Sequence, residues 1–166
     1  CPHSSSEHNG LIGVAQSQDN RQSWQLLPPV INADRVNNEL ERPVMIYYQQ
    51  LYYLFWSTQA KVFSPDCSGG ITGLYAMVGD SPQGPFRPVN GSGLVAANPL
   101  DEPMQSYSWW VTNDLLVYGF VDLWGLNGLN WQSVPDDKAF RRSHFGATVA
   151  PPFRLELQGD RAWIAQ

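Results

Sequence analysis

Two glutamates separated by one residue, in the stretch Glu39-Leu40-Glu41-Arg42-Pro43, are the groups of this chain best placed to do chemistry. In an extended strand the side chains alternate between two faces, so Glu39 and Glu41 are predicted to point the same way. Two carboxylates on one face disfavour each other's ionisation, and one of them then keeps a proton that it can donate near neutral pH. A twist at Pro43 could bring the Arg42 guanidinium back to a carboxylate. The pattern therefore indicates an acid/base site, against the alternative of a solvated edge strand.

The elements that must position this stretch are predicted to be β-strands. The chain has 166 residues, of which 13% are aromatic and only 15% charged, with 14 Gly and 13 Pro. That composition is typical of a turn-rich all-β protein and argues against a helical bundle or a disordered segment. No helix longer than a single turn is predicted, and Asp136-Asp137 is predicted to form a turn.

The charge balance and the apolar runs exclude several classes of partner. The net charge is −5 without a basic cluster, which argues against nucleic acid and anionic membranes. No apolar run approaches the ~20 residues that span a bilayer. The chain begins with Cys1 rather than Met, which predicts a processed product or a piece of something longer. Cys1 and Cys67 are the only cysteines, and a disulfide between them, a link to another chain and two free thiols all stay open.

Three segments repeat one plan of an apolar strand, a polar turn and a second apolar strand. They are residues 44–55, 109–120 and 153–164, and each predicts a β-hairpin. A second element, residues 10–29, recurs as residues 73–88, where an apolar strand leads through polar residues and an aromatic side chain to proline. The spacing of about sixty residues suits four-stranded propeller blades. A twisted β-sandwich is the alternative fold.

The repeat predicts which residues meet. Overlaying the first two hairpins places Glu41-Arg42-Pro43 close to Gln105-Ser106-Tyr107, because both motifs open the first strand of a hairpin. If those strands run beside a central axis, their leading residues line one funnel. Polar groups brought together from successive blades are what a small-ligand pocket needs.

These residues resemble a known family, the levansucrases, inulosucrases and bacterial β-fructofuranosidases of glycoside hydrolase family 68. The likeness runs from about Gly10 to the C-terminus. It is carried by several separate motifs in the expected order: Glu39-Leu40-Glu41-Arg42-Pro43, Tyr52-Tyr53-Leu54-Phe55, residues 84–95 (GPFRPVNGSGLV) and Gln105-Ser106-Tyr107-Ser108, supported by residues 24–29 and 145–151.

The resemblance implies the C-terminal part of a five-bladed β-propeller with a funnel-shaped sucrose site, residues 1–166 forming one partial propeller unit. It implies retaining cleavage by an aspartate nucleophile, a second aspartate that stabilises the transition state and a glutamate acid/base. Glu41 matches that general acid/base. Glu39 matches a position that hydrogen-bonds the glucosyl unit, and Arg42 a structural and electrostatic partner. Tyr107 resembles a tyrosine that orients sugar hydroxyls or the acid.

The chain also departs from the family pattern. The nucleophile normally lies in a Trp-Asp motif and the stabiliser in an Arg-Asp-Pro motif, and neither motif occurs in this sequence. The chain is therefore expected to be inactive alone and to be completed by a missing N-terminal portion or a second chain. The expected small-molecule partners are sucrose and the fructosyl acceptors, which are water, sugars and fructans.

Three substitutions at family positions refine these expectations. Gln59 stands on the acceptor side, where the family usually has arginine or histidine. Because glutamine carries no charge, we expect weaker retention of growing chains, and hence short oligosaccharides or hydrolysis. Trp109 stands where a histidine commonly follows Tyr-Ser. Asn38 stands where some members use an aspartate to bind calcium, and no His/Cys/Asp spacing suggests a transition metal, so neither a metal site nor a cofactor is expected.

Two functions from different classes fit these observations. The first is a fructosyltransferase or sucrose hydrolase portion of a secreted enzyme. The alternative is a non-catalytic β-propeller or lectin-like module that binds fructans through Glu39, Tyr107 and exposed tryptophans. The two differ in what Glu41 does, because only the enzyme needs its proton.

Overall fold

The computed structural model describes residues 8–67, 69–129 and 133–165, and most regular structure in these ranges is β-strand. The first seven strands are β1 (Asn9–Gln16), β2 (Gln25–Asp34), β3 (Glu41–Tyr48), β4 (Leu51–Thr58), β5 (Gly73–Gly79), β6 (Phe86–Pro88) and β7 (Leu94–Ala97). The remaining strands are β8 (Ser106–Val111), β9 (Leu116–Leu123), β10 (Phe145–Val149), β11 (Phe153–Gln158) and β12 (Arg161–Ile164). A 3₁₀ turn spans Ala60–Val62 and a helix, α1, spans Lys138–His144.

The strands form a hairpin and two larger antiparallel sheets. β1 pairs with β2 in the hairpin. The first sheet has the order β3-β4-β5, and both β6 and β7 pair with β5. In the second sheet β9 pairs with β8 on one side and with both β10 and β11 on the other, and β12 pairs with β11. Each larger sheet is therefore four strands wide, with one of its four positions filled by two short strands.

The predicted hairpins all form. Residues 44–55 lie in β3 and β4, residues 109–120 in β8 and β9, and residues 153–164 in β11 and β12. The second predicted element forms the pairs β1–β2 and β5–β6. The third hairpin, however, supplies the third and fourth strand positions of its sheet, whereas the first two supply the first and second positions. Alternating apolar residues specify a hairpin but not its position in a sheet.

Side chains alternate across β4 and bury both faces of the first sheet. Tyr53 and Phe55 pack into a core shared with the second sheet. Leu54 and Trp56 point the other way and pack against Ile12 of the β1–β2 hairpin. Hairpin, first sheet and second sheet are therefore stacked face to face, as neighbouring blades of a β-propeller are. A two-sheet sandwich would not cover both faces of one sheet, so the alternative fold is wrong.

The expectations about helix content and about Asp136-Asp137 are wrong. The seven-residue helix α1 makes about two turns, and Asp137 is its N-cap residue, with a side chain that accepts hydrogen bonds from the N–H groups of Ala139 (2.6 Å) and Phe140 (3.1 Å). None of its residues is buried. The helix therefore has no apolar stripe, which is why periodicity failed to predict it.

Cys67 lies in the connection between β4 and β5 and is disulfide-bonded. The other cysteine of the chain, Cys1, lies outside the described residues. Among the helices of the described part of the chain, none has the length and apolar character needed to cross a membrane.

Asn90 fastens the first sheet to the second. Its Nδ2 donates to the carbonyls of Leu94 (2.9 Å) and Ala162 (2.7 Å), and its Oδ1 accepts from the N–H of Ala162 (3.1 Å). Its own N–H donates to the carbonyl of Asp160 (2.8 Å). The φ of Asn90 is +54°, a left-handed conformation that asparagine adopts more readily than most residues. Both the side chain and the backbone conformation therefore favour asparagine here.

We expect Asn90→Ala to lower the free energy of unfolding of the native protein by about 2–4 kcal/mol, measured by urea unfolding. The substitution removes three hydrogen bonds worth about 1 kcal/mol each and puts alanine in a left-handed conformation that costs about 1 kcal/mol. Asn20→Ala is the matched control, because Asn20 has a φ of +55° in an exposed turn and no side-chain hydrogen bond to a described residue. Equal decreases in the free energy of unfolding of the two variants would contradict the proposal that the Asn90 side chain holds the two sheets together.

Candidate active site

The two longest connections between strands, residues 59–72 and 124–144, lie at one end of the sheets. Because neighbouring strands are antiparallel, β3 and β8 begin at the same end as residues 35–40, 59–72, 98–105 and 124–144, which connect successive strands. The opposite end carries shorter turns such as residues 49–50. Binding and catalytic residues are disproportionately found on loops that a rigid scaffold positions. This end is therefore where a functional site is expected.

A β-bulge follows a candidate site residue near the start of β3 and of β8, two of the strands that begin at this end. The register shifts after Glu41 in β3 and after Tyr107 in β8. The next residues, Arg42 and Ser108, have left-handed φ values of +51° and +53°. Bulges bend a strand and re-aim its side chains. The same β-bulge, with a left-handed residue, thus occurs at equivalent points of two neighbouring blades.

The two bulges bring Glu41 and Tyr107 together. The Oη of Tyr107 donates a hydrogen bond of 2.5 Å to Oε2 of Glu41, and both residues are half-buried. Burial raises the pKa of Tyr107 above its ordinary value of 10.0, and the hydrogen bond and the charges of Glu41 and Glu39 raise it further, against an opposing effect of Arg42. The phenol therefore keeps its proton at physiological pH and remains a donor that orients the carboxyl group.

Arg42 lies over an aromatic ring. Its guanidinium carbon is 5.8 Å from the centroid of the Trp110 ring, which stacks on Tyr118 at 5.2 Å. This is the geometry of a cation–π contact. Within the described residues no carboxylate lies at ion-pair distance from Arg42, so the anticipated return of its guanidinium to a carboxylate is not seen. The bulge turns the side chain toward the second sheet instead.

Asn37 holds the segment that leads into Glu41, and sequence reasoning missed it. It is 2% exposed, donates from Nδ2 to Oγ1 of Thr58 (2.7 Å) and accepts at Oδ1 from the N–H of Glu39 (2.7 Å). Its carbonyl oxygen accepts a hydrogen bond from the N–H of Gly10 (2.8 Å). A Cβ atom at position 10 would lie 2.8 Å from this oxygen, which is too close, so the contact favours glycine there. An asparagine just ahead of two glutamates was the available signal, since asparagine often bonds nearby backbone groups.

Ser57 ties the site to the second sheet and was also missed. It is the register partner of Glu41, and its fully buried hydroxyl donates to the carbonyl of Trp109 (2.9 Å). The Trp109 side chain is itself buried in the core between the sheets. The tryptophan therefore contributes to packing at the blade interface, directly behind Tyr107.

Gln59 and Glu39 lie at the same end of the sheets. Gln59 follows β4 directly, two residues beyond Ser57, and its Oε1 is buried without a hydrogen-bond partner among the described residues. Glu39 is exposed just before β3. The structure thus brings Glu41, Tyr107 and Arg42 together with Glu39, while Gln59 makes no hydrogen bond to any of them. No group of three or more His, Cys, Asp or Glu side chains in the described ranges could hold a metal ion.

Stacked four-stranded blades with an oriented carboxyl group at the loop-bearing end define a β-propeller with a candidate active site. The family model described as levansucrase/invertase, for glycoside hydrolase family 68, matches residues 3–166. This chain belongs to that family, as its motifs predicted.

Curated relatives of the chain are levansucrases. Levansucrase Lscbeta of Pseudomonas syringae pv. actinidiae is 37% identical over 158 residues, which cover 95% of this chain and 34% of that protein. The levansucrase of Erwinia amylovora is 36% identical over 156 residues, covering 93% of this chain and 34% of that protein. The chain thus spans about a third of the length of the curated relatives it matches.

Solved structures of the family have the same fold. The inulosucrase from Halalkalicoccus jeotgali bound to kestose superposes with a TM-score of 0.87 and 41% identity, covering 96% of this chain and 40% of that chain. The levansucrase from Gluconacetobacter diazotrophicus gives a TM-score of 0.71 and 28% identity, covering 93% of this chain and 32% of that chain. The predicted fold, the C-terminal part of a five-bladed β-propeller, is confirmed.

Proposed function

We propose that this chain is part of a retaining enzyme that cleaves sucrose and transfers the fructosyl unit to water or a sugar, with Glu41 as general acid/base. The hydrogen bond from Tyr107 to Glu41 is the observation that carries the proposal. It orients the carboxyl group of the Glu41-Arg42-Pro43 motif where the loops gather, in a chain of the levansucrase/invertase family. Replacement of Glu41 by glutamine is the experiment that tests it.

In the first step, protonated Glu41 gives its proton to the glycosidic oxygen. The bond from that oxygen to the fructosyl anomeric carbon breaks while a carboxylate nucleophile bonds to the same carbon, and neutral glucose leaves. In the second step, ionised Glu41 takes a proton from the acceptor hydroxyl as its oxygen attacks the anomeric carbon and releases the nucleophile. Tyr107 donates to Glu41 throughout, and its hydrogen bond is strongest while Glu41 is charged.

The nucleophile and the stabilising carboxylate must come from a further segment, in the same polypeptide or in a second chain. Neither the Trp-Asp nor the Arg-Asp-Pro motif occurs in these 166 residues. The outward face of the β1–β2 hairpin exposes Leu11 (54%) and Leu26 (84%), which suits a surface that another blade covers. The mass of the native particle, compared with 18.6 kDa for this chain, distinguishes a second polypeptide from none.

The same proposal includes export from the cell. Cys67 is disulfide-bonded, and disulfides form and persist mainly in oxidising environments outside the cytosol. Fractionation of the source cells, with the protein detected in the medium, would support this part, and retention in the cytosol would contradict it.

Gln59 is proposed to set the length of the products. Because a neutral amide holds a sugar hydroxyl less strongly than a charged group does, the native enzyme is expected to make short fructo-oligosaccharides or to hydrolyse sucrose. Gln59→Arg should lengthen the products, since a charged hydrogen bond of about 1.5–3 kcal/mol slows release of the growing chain by about 10-fold or more. Size-exclusion chromatography after incubation with sucrose measures the change.

Gln83→Arg is the matched control, because Gln83 is exposed in a turn at the opposite end of the first sheet. It adds the same charge without altering the acceptor side. Abundant high-molecular-weight fructan from the native enzyme, or identical product sizes for the two arginine variants, would contradict the role of Gln59.

A further inference from the structure

A buried asparagine and a buried threonine form a hydrogen-bonded pair behind Glu39. Asn37 is 2% exposed, and Thr58, the last residue of β4, is 1% exposed. The Nδ2 of Asn37 donates to Oγ1 of Thr58 at 2.7 Å, and its Oδ1 accepts from the N–H of Glu39 at 2.7 Å. Turning the amide over would place its NH₂ group against the N–H of Glu39, so these two partners fix the orientation of the Asn37 side chain.

The backbone of Asn37 is held from two sides. On one side its carbonyl oxygen accepts a hydrogen bond from the N–H of Gly10 in β1 (2.8 Å). On the other side Asn37 forms an antiparallel bridge with Phe63, as part of a short pairing of residues 36–38 with residues 62–64 of the β4–β5 connection. Groups held in this way are preorganised, because they have little conformational freedom to lose when a ligand binds.

The two glutamates of the site are held in different ways. Glu41 pairs with Ser57 in β4 and accepts the hydrogen bond from Tyr107. Glu39 is exposed and lies outside the strands, and its N–H is bonded to the buried Asn37. Its charge nevertheless acts on the same site: burial and Glu41 raise the pKa of Tyr107 most, and the charge of Glu39 raises it further. The Asn37 side chain therefore fixes the backbone from which the Glu39 carboxylate reaches the site.

We propose that Asn37 and Thr58 are positioning residues that place Glu39 to bind the glucosyl unit of sucrose. Both are buried, so they act through the backbone of Glu39 and not on the sugar itself. A side chain that binds a ligand must be held within about 0.5 Å of its productive position, which requires support from the residues behind it. The inference rests on the proposed function and deepens it, because it builds on the predicted contact between Glu39 and the glucosyl unit.

Thr58→Val in the native enzyme tests this role. Valine has nearly the shape of threonine and suits a β-strand, but it leaves the buried Nδ2 of Asn37 without its acceptor. We expect the KM for sucrose to rise about 3–10-fold, the loss of about one neutral hydrogen bond, with kcat unchanged. For fructosyl fluoride, a donor without a glucosyl unit, KM and kcat should both stay at their native values. Thr58→Ser keeps the hydroxyl and should restore the native KM for sucrose.

A double-mutant cycle shows whether the effect passes through Glu39. Glu39→Gln alone should raise the KM for sucrose, and Thr58→Val should add little in that background, because residues that act together have non-additive effects. Thr112→Val is the matched control. The hydroxyl of Thr112 also accepts a backbone hydrogen bond, from the N–H of Leu116 (3.2 Å), but in the turn between β8 and β9 at the opposite end of the sheets. This control should leave both KM values unchanged.

Several results would overturn the positioning role. One is an equal rise in the KM values for sucrose and for fructosyl fluoride, since the defect would then not concern the glucosyl unit. Another is an equal rise for Thr58→Val and Thr58→Ser, and a third is an undiminished effect of Thr58→Val in the Glu39→Gln background. Absence of sucrose cleavage by the native enzyme would refute the proposed function and this inference with it, whereas cleavage with a KM insensitive to Thr58→Val would refute the positioning role alone.

Discussion

Glu41→Gln is expected to lower kcat for sucrose cleavage by the native protein by about 10²–10⁴-fold, the usual contribution of a general acid/base, while sucrose still binds. Glutamine has nearly the same shape and can accept the hydrogen bond from Tyr107, but it cannot give a proton to the glycosidic oxygen. Glucose release gives kcat, and titration with sucrose gives the dissociation constant.

Glu39→Gln is the matched comparison, because Glu39 lies two residues away and is exposed. Its predicted hydrogen bond is to the glucosyl unit, so the substitution should change KM more than kcat. If the protein were a non-catalytic fructan-binding module, neither variant would alter glucose release, because there would be none. A decrease of less than about tenfold for Glu41→Gln would contradict an acid/base role.

Tyr107→Phe is expected to lower kcat by about 10–150-fold with little change in sucrose affinity. The substitution removes one hydrogen bond to a carboxyl group, worth about 1.5–3 kcal/mol when that group is charged. Glu41 becomes charged only as it transfers its proton. Loss of the hydrogen bond should therefore raise the activation barrier and leave the affinity for sucrose nearly unchanged. Tyr52→Phe is the control, because Tyr52 lies at the opposite end of the sheet and its hydroxyl bonds no described residue. Equal rates for the two variants would refute the orienting role.

The same variant should change the response of stability to alkali. The pKa of Tyr107 is raised in the folded protein from an ordinary value of 10.0, chiefly by burial and then by Glu41. Above pH 10 the folded protein therefore binds more protons than the unfolded chain, and the free energy of unfolding falls as the pH rises. Tyr107→Phe removes this dependence, so its alkaline slope should be shallower than that of the native protein, measured by urea unfolding between pH 9 and about 11.

Much of the blade arrangement was predictable because it rests on short-range alternation. The apolar runs on both sides of residues 49–50 and 112–114 specify hairpins, and their repetition specifies that equivalent strands begin at equivalent places. The predicted proximity of Glu41 and Tyr107 follows from that equivalence, and the hydrogen bond between them agrees with it.

What could not be predicted depends on contacts between distant segments. Left-handed conformations at Arg42 and Ser108 contradict local preference and exist because the packed sheets impose the bulges. The roles of Asn37 and Ser57 depend on partners supplied by other strands. In each case partners from other strands complete the arrangement, and the neighbouring residues give at most a partial signal, as the bond of Asn37 to the N–H of Glu39 does.

The most direct test of the central claim is the first step of the Glu41→Gln variant on fructosyl fluoride, whose fluoride leaves without a proton. If Glu41 protonates the glycosidic oxygen, the variant should release a rapid burst of fluoride equal to its active sites, and then turn over slowly because the second step still needs a base. On sucrose it should show no burst. Fluoride release as impaired as glucose release would contradict the account, since the carboxyl group would then serve something other than proton transfer.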